Sequence, residues 1–230
     1  MVECQLVDRL IIMRYHLLTW DECYRQAKEV ARLIRRSGFY PEVIIALARS
    51  GFVPGRILSD LLSVDDLEGL QVHHVLSSEL PGEVEVESEY EAVIPYKAPL
   101  DIKGESTLVV DDIAGTGKSM TAAVQYLESL KPKALKSASL GYSTESIIRP
   151  DFFAMTIGED DWLLYPWNYF EDFEDIIIRT QKKTKRRDMS PEALSKAIEE
   201  HFGITLPIEE LRYVMGEAKI PHPAKRTKQE

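Results

Sequence analysis

The chain has 230 residues, 44% of them apolar and 29% charged, with a formal net charge of −10 at pH 7. That suffices for one α/β domain with an extension and is too apolar for a disordered chain. The charge argues against a generally basic nucleic-acid binder, although it is uneven: residues 1–180 carry a balance of −13, residues 181–230 one of +3.

Two cysteines, Cys4 and Cys23, with no CxxC, are too few for a disulfide framework. The N-terminus lacks a basic region and its apolar run is too short for a secretory signal. No stretch approaches the ~18 apolar residues of a membrane span. A cytoplasmic protein is expected.

Thr19-Trp20-Asp21-Glu22 is a capping box, with a hydroxyl at the N-cap and a carboxylate at N3. It predicts a helix to about Ser37, stopped by Gly38. Residues 43–48 (VIIALA) are a continuous apolar run, as in a strand buried on both faces. Arg49-Ser50-Gly51 follows, then a helical pattern over residues 53–62 and a strand over residues 70–76. Residues 79–91 carry six glutamates and no Lys or Arg, which suits an exposed hairpin arm or an acidic loop. A buried strand over residues 107–110 ends at Asp111-Asp112, and residues 114–119 form a glycine-containing turn. A helix then runs to about Leu130, with a further strand over residues 134–142. Strands alternating with helices predict parallel βαβ units and a doubly wound α/β sheet. Residues 181–188 (QKKTKRRD) read as a basic linker. Ser190-Pro191 starts a helix that Gly203 ends, and Pro207 opens a last helix to about Gly216. The expected division is a domain over residues 1–180 and a small helical C-terminal extension over residues 181–230.

The segment from Thr107 to Ser119 carries the chemistry. An apolar strand ends in two carboxylates, and a turn of Ala114, Gly115, Thr116, Gly117, Lys118 and Ser119 opens a helix. Such a turn offers free backbone N–H groups and a positive dipole end to a phosphate. Asp111 and Asp112 would repel that phosphate, and suit a sugar diol or a metal. Together they point to a sugar phosphate. A Walker A loop fails on spacing, because its first glycine falls at Asp112. A plain strand-turn-helix connection explains the glycines but not the adjacent acids. Arg49-Ser50-Gly51, at the end of another buried strand, is a second anion-binding arrangement with a cation added. Ligands bind beyond the carboxyl ends of strands in open parallel sheets, so the two loops suit a sugar with phosphates at both ends.

The acidic pair and its turn resemble the phosphoribosyl-pyrophosphate (PRPP) motif of type I phosphoribosyltransferases. The resemblance covers about residues 15–170. It implies that Asp111 and Asp112 hold the ribose hydroxyls as the catalytic pair, and that residues 114–119 wrap the 5′-phosphate. Arg49, Ser50 and Gly51 then bind pyrophosphate, in a loop that often holds a non-proline cis peptide. The stretch with Trp162, Pro166 and Trp167 resembles the purine-covering segment of bacterial xanthine-guanine enzymes and archaeal relatives. By that match Trp162 stacks on the base and backbone groups near Leu163 read its edge; backbone near Tyr142 is expected to read the edge as well, and Trp167, although part of the match, is read as a core residue. Mg²⁺ arrives with PRPP, and no protein metal site is expected.

The resemblance implies purine phosphoribosyl transfer, with three departures. Gly115 stands where 6-oxopurine enzymes carry an aspartate that meets N7. Residues 140–144, with Ser143, lack the lysine that donates to the 6-oxo group. No catalytic pair is recognisable in the Glu-rich segment, where Ser88 and Tyr90 are candidates. A lysine is donor-only, so its loss removes a feature that selects a carbonyl, and adenine is the expected base. A homodimer or larger homo-oligomer is expected, and a dimerisation role for the tail helices is compatible with the transfer. Two alternatives stay open: 6-oxopurine transfer, and a non-catalytic PRPP-sensing regulator whose tail binds nucleic acid, against which the −13 of the body argues.

Overall fold

The computed structural model describes residues 14–76, 90–94 and 101–217. Among the described residues the strands are β1 (Arg14–Leu17), β2 (Val43–Ala48), β3 (Asp66–Gln71), β4 (His73–Leu76), β5 (Tyr90–Val93), β6 (Ser106–Ala114), β7 (Ala134–Ser143), β8 (Phe152–Ile157) and β9 (Asp161–Leu164). The helices among them are α1 (Trp20–Ser37), α2 (Phe52–Leu62), α3 (Lys118–Ser129), α4 (Tyr169–Thr184), α5 (Pro191–Phe202) and α6 (Ile208–Glu217). They fall into two compact units, residues 19–159 and residues 1–18 with 160–230.

The first unit is built on a five-stranded sheet of order β3-β2-β6-β7-β8 in which every pairing is parallel. The expected doubly wound architecture follows from its two covered faces. Val43, Ile45 and Leu47 pack with Met120, Ala123 and Leu127 of α3. On the other face α2 lies so close that a Cβ on Gly55 would stand 2.9 Å from the Cβ of Ala46. Helix α1 starts at the expected capping box: Thr19 N donates to Glu22 Oε2 at 2.8 Å, and Glu22 N to Thr19 Oγ1 at 3.3 Å. Gly38, at φ 77°, ends it.

Two strands differ from expectation. The single strand expected over residues 70–76 is two, β3 and β4, separated at Val72. β3 joins the parallel sheet, whereas β4 turns away to pair antiparallel with β5. β6 runs on through Asp111 and Asp112 to Ala114, because pairing with β7 continues to Ala114↔Tyr142. The glutamates at 79–89, with Ser88, lie outside the described residues.

In the second unit β1 and β9 pair in parallel, from Arg14↔Asp161 to Leu17↔Leu164. Leu164, Phe173, Ile176 and Ile177 share one core with Leu194, Ile198, Leu206, Leu211 and Val214. Helix α4, not expected from sequence, supplies three of these and continues to Thr184, so the basic segment begins as its last turn. The boundary expected at residues 180/181 therefore falls inside a helix. The expected caps of α5 are in place: Ala193 N donates to Ser190 Oγ at 3.2 Å, and Gly203 has φ 66°. Among the described residues no helix is long and apolar enough to cross a membrane.

Candidate active site

The ends of β2 and β6 bring the two expected anion loops together. Ala46 is paired with Val110, so Arg49-Ser50-Gly51 and Asp111-Asp112 emerge at the same edge of the sheet. The approach is close enough that a Cβ on Gly51 would lie 2.6 Å from Leu47 O and 2.7 Å from Val110 O. Only glycine fits between these carbonyls. The Ala48–Arg49 peptide is cis, as the resemblance implied. Tyr142, opposite Ala114 on β7, stands at the same edge. This is the carboxyl edge of a parallel sheet, where ligands bind in such folds.

Asp112 is 3% exposed, and Asp111 is partly exposed. Burial, followed by repulsion from Asp112, holds the Asp111 carboxyl well above the usual carboxylate range. Two carboxyls crowded in this way are relieved by a cation or by hydroxyl donors. Cys23 is fully buried on α1, and burial pushes its thiol to about 12, which keeps it protonated and unreactive.

Helix dipoles reinforce the anion loops. Of the six helices among the described residues, α1, α4, α5 and α6 carry Asp or Glu in the first turn; α2 and α3 carry none. Those two follow Gly51 and Gly117. Their N-terminal amides thus lack the carboxylates that neutralise the positive end elsewhere, and suit external anions. The turn proper is Gly115-Thr116-Gly117, because Ala114 is the last, buried residue of β6. Gly117 has φ 79°, and Lys118 N donates to Thr116 Oγ1 at 3.4 Å. Lys118 and Ser119 are the first two residues of α3.

The expected base residues lie in different units. In the first, the Tyr142 ring packs on Phe153, with centroids 4.9 Å apart. Ser143 is buried, and its Oγ accepts from Glu145 N at 3.3 Å. In the second, Trp162 is 46% exposed on β9 and lines a cleft with Tyr15, Asp172, Asp175 and Arg179. Leu163 is buried, so only its backbone can meet a polar ligand. Trp167 stacks on buried Tyr165 at 4.8 Å, a packing arrangement. Sequence reasoning missed the clamp at the start of β9. There Asp161 accepts from Arg14 Nε at 3.0 Å and lies 2.7 Å from His16 Nε2. Nothing local signals it, because its partners lie about 145 positions away in sequence.

Comparison with known proteins adds to this geometry. Residues 15–172 match the phosphoribosyl transferase domain family. A xanthine-guanine phosphoribosyltransferase of Gluconobacter oxydans is 28% identical over 74% of this chain and 94% of its own length. One from Desulfotalea psychrophila is 24% identical over 74% of this chain and 96% of its own. The crystal structure of a purine phosphoribosyltransferase from Pyrococcus horikoshii is similar with a TM-score of 0.57 and 26% identity, covering 67% of this chain and 94% of that one. With the family model matching more than half its length, the chain belongs to the type I phosphoribosyltransferases, close to the purine enzymes, and is a phosphoribosyltransferase.

Proposed function

We propose that the protein is a purine-salvage enzyme of the 6-oxopurine class. It transfers the phosphoribosyl group of PRPP to hypoxanthine, guanine or xanthine, and yields a nucleoside 5′-monophosphate and pyrophosphate. One observation supports the transfer above all: the Arg49-Ser50-Gly51 loop and the Asp111–Ser119 segment emerge side by side, with a carboxyl pair between two uncapped helix ends. The base class rests on relatives named as xanthine-guanine enzymes, matched over nearly their whole lengths. The adenine preference expected from Gly115 and Ser143 finds no support among them and is replaced by this reading.

In the transfer the bond from ribose C1 to the pyrophosphate oxygen breaks with its electron pair leaving on pyrophosphate, and a purine ring nitrogen bonds to C1 as its proton passes to water. Positive charge develops on the ribose, so holding the sugar is the main task. Asp111 and Asp112 accept from the 2′- and 3′-hydroxyls. Residues 115–119 hold the 5′-phosphate, and the Arg49-Ser50-Gly51 loop, through the Arg49 guanidinium and the Ser50 amide, holds the departing pyrophosphate, while the Gly51 amide donates to Leu47 O at 2.9 Å and fixes the loop. The proposed base contacts are those the family resemblance implies, Trp162 for stacking and backbone groups of Leu163 for the purine edge, joined there by backbone of Tyr142. Mg²⁺ fits the donor set: it dehydrates reluctantly and takes one or two carboxylates plus substrate phosphates. It would neutralise charge on the pyrophosphate. Action in the cytoplasm as a homo-oligomer completes the reading.

The test is kcat/KM for hypoxanthine, guanine, xanthine and adenine with PRPP and Mg²⁺. A preference for a 6-oxopurine is expected. A preference for adenine reverses the base assignment, and no PRPP-dependent product with any base overturns the transfer.

A further inference from the structure

The segment after β7 reaches back to the 5′-phosphate turn. Its start is pinned to strand ends: Thr144 N donates to Ile157 O at 3.0 Å and Ser146 N to Ser143 O at 3.0 Å. Its far side is bonded to the turn itself, where Ile147 N donates to Thr116 O at 3.0 Å. Ser146 Oγ donates to Ile148 O at 2.9 Å and closes a tight local bend. That bend fills the space beside Gly117. A Cβ on Gly117 would stand 2.3 Å from Ser146 Oγ and 2.9 Å from Ile148 Cγ2.

A planar trans peptide points its C=O and its N–H in opposite directions. The Thr116 carbonyl is drawn to Ile147 N, so the Gly117 N–H of the same peptide is turned away from residues 146–148. The positive φ of Gly117 then leads directly into α3.

We propose that residues 146–148 are a positioning strap for the transfer reaction. By holding the Thr116–Gly117 peptide in one orientation, they present the Gly117 amide to the 5′-phosphate before PRPP arrives. The inference rests on the PRPP reading above. It adds a function for a segment that touches no expected substrate atom. A donor held in place by the protein needs no reorganisation on binding.

The backbone donor can be removed with little side-chain loss, because Ile147 is 68% exposed. Ile147→Pro deletes the N–H, Ile147→Ala keeps it, and Ser146→Ala removes the hydroxyl that closes the bend. Ribose 5-phosphate and pyrophosphate are titrated separately into each full-length protein by calorimetry in Mg²⁺ buffer. Ile147→Pro and Ser146→Ala should each weaken ribose 5-phosphate about tenfold, the scale of one hydrogen bond to a charged group. Pyrophosphate binding, and both ligands in Ile147→Ala, should stay within about twofold, as for ordinary surface changes. Unchanged ribose 5-phosphate binding in both Ile147→Pro and Ser146→Ala overturns the strap. Equal weakening of both ligands in Ser146→Ala overturns it too, since that marks a general structural role. Wild-type protein that binds neither ligand overturns the PRPP reading itself, a result distinct from these.

Discussion

The main-chain amide of Asp112 donates to Asp111 Oδ1 at 2.9 Å. This bond favours the ionised form of Asp111, yet burial and the negative charge of Asp112 outweigh it and leave the carboxyl raised. A raised carboxyl keeps its proton in the folded chain at a pH where the unfolded chain, near ~3.9, has lost it. Folding stability therefore falls as pH rises from about 4 through the folded value. Asp111→Asn removes this penalty. Its thermal midpoint should exceed that of the wild type increasingly as pH rises from about 4 to 8. A constant difference across that range would mean that the carboxyl is not raised.

Asp112→Asn keeps the shape of a nearly fully buried side chain and removes the charge. Hydrogen bonds to a charged group contribute ~1.5–3 kcal/mol, which is roughly tenfold to more than a hundredfold in rate. Turnover with PRPP should fall by that factor while circular dichroism stays native. Unchanged kinetics would remove Asp112 from the site.

Two of the three glycines of the anion loops, Gly51 and Gly115, should respond differently. Gly51→Ala drives a methyl into the Leu47 and Val110 carbonyls, and overpacking of this kind costs ~1–3 kcal/mol. Gly115→Ala meets nothing within 4 Å and should leave the denaturation midpoint unchanged. Arg49→Ala is expected to weaken PRPP and pyrophosphate more than the purine, through loss of a guanidinium–phosphate contact. Equal weakening of all three would indicate misfolding.

The open space beside Gly115 also makes a gain-of-function test possible. Gly115→Asp can be accommodated and places a carboxylate at the end of β6. It should raise kcat/KM for hypoxanthine and guanine relative to adenine. Adding Ser143→Lys, a donor for the 6-oxo group, should extend the change. If selectivity does not move in either variant, the base is read elsewhere.

Removal of residues 182–230 deletes Met189, Leu194, Ile198, Ile204, Leu206, Leu211 and Val214 from the core they share with Leu164 and Phe173. Loss of several buried aliphatic side chains at ~2–5 kcal/mol each exceeds what a small unit can absorb. The truncated chain should lose the packed environment of Trp167, which stacks on buried Tyr165, read as a red shift of the summed tryptophan fluorescence that a Trp167→Phe background abolishes. A native spectrum would show that the extension folds independently, as the basic segment alone suggested.

The sequence by itself determined the elements whose signals are local. Thr19 and Glu22 cap α1 through bonds three residues apart, and Ser190 and Gly203 bracket α5 in the same way. The buried runs of β2 and β6 are read from consecutive apolar residues, and the acidic pair with its turn from spacing alone. Tertiary structure decided what depends on distant partners. β1 is too short to declare itself, and it forms by pairing with β9 and by the Asp161 clamp. The apolar stripe of α4 is hidden among charges until α5 and α6 cover it. β6 extends through Asp111 and Asp112 because β7 offers partners that far. The raised carboxyl of Asp111 and the orientation of the Gly117 amide likewise arise from groups brought together only by folding. Backbone caps and apolar runs act over a few residues, whereas pairing register, burial and charge repulsion act through space.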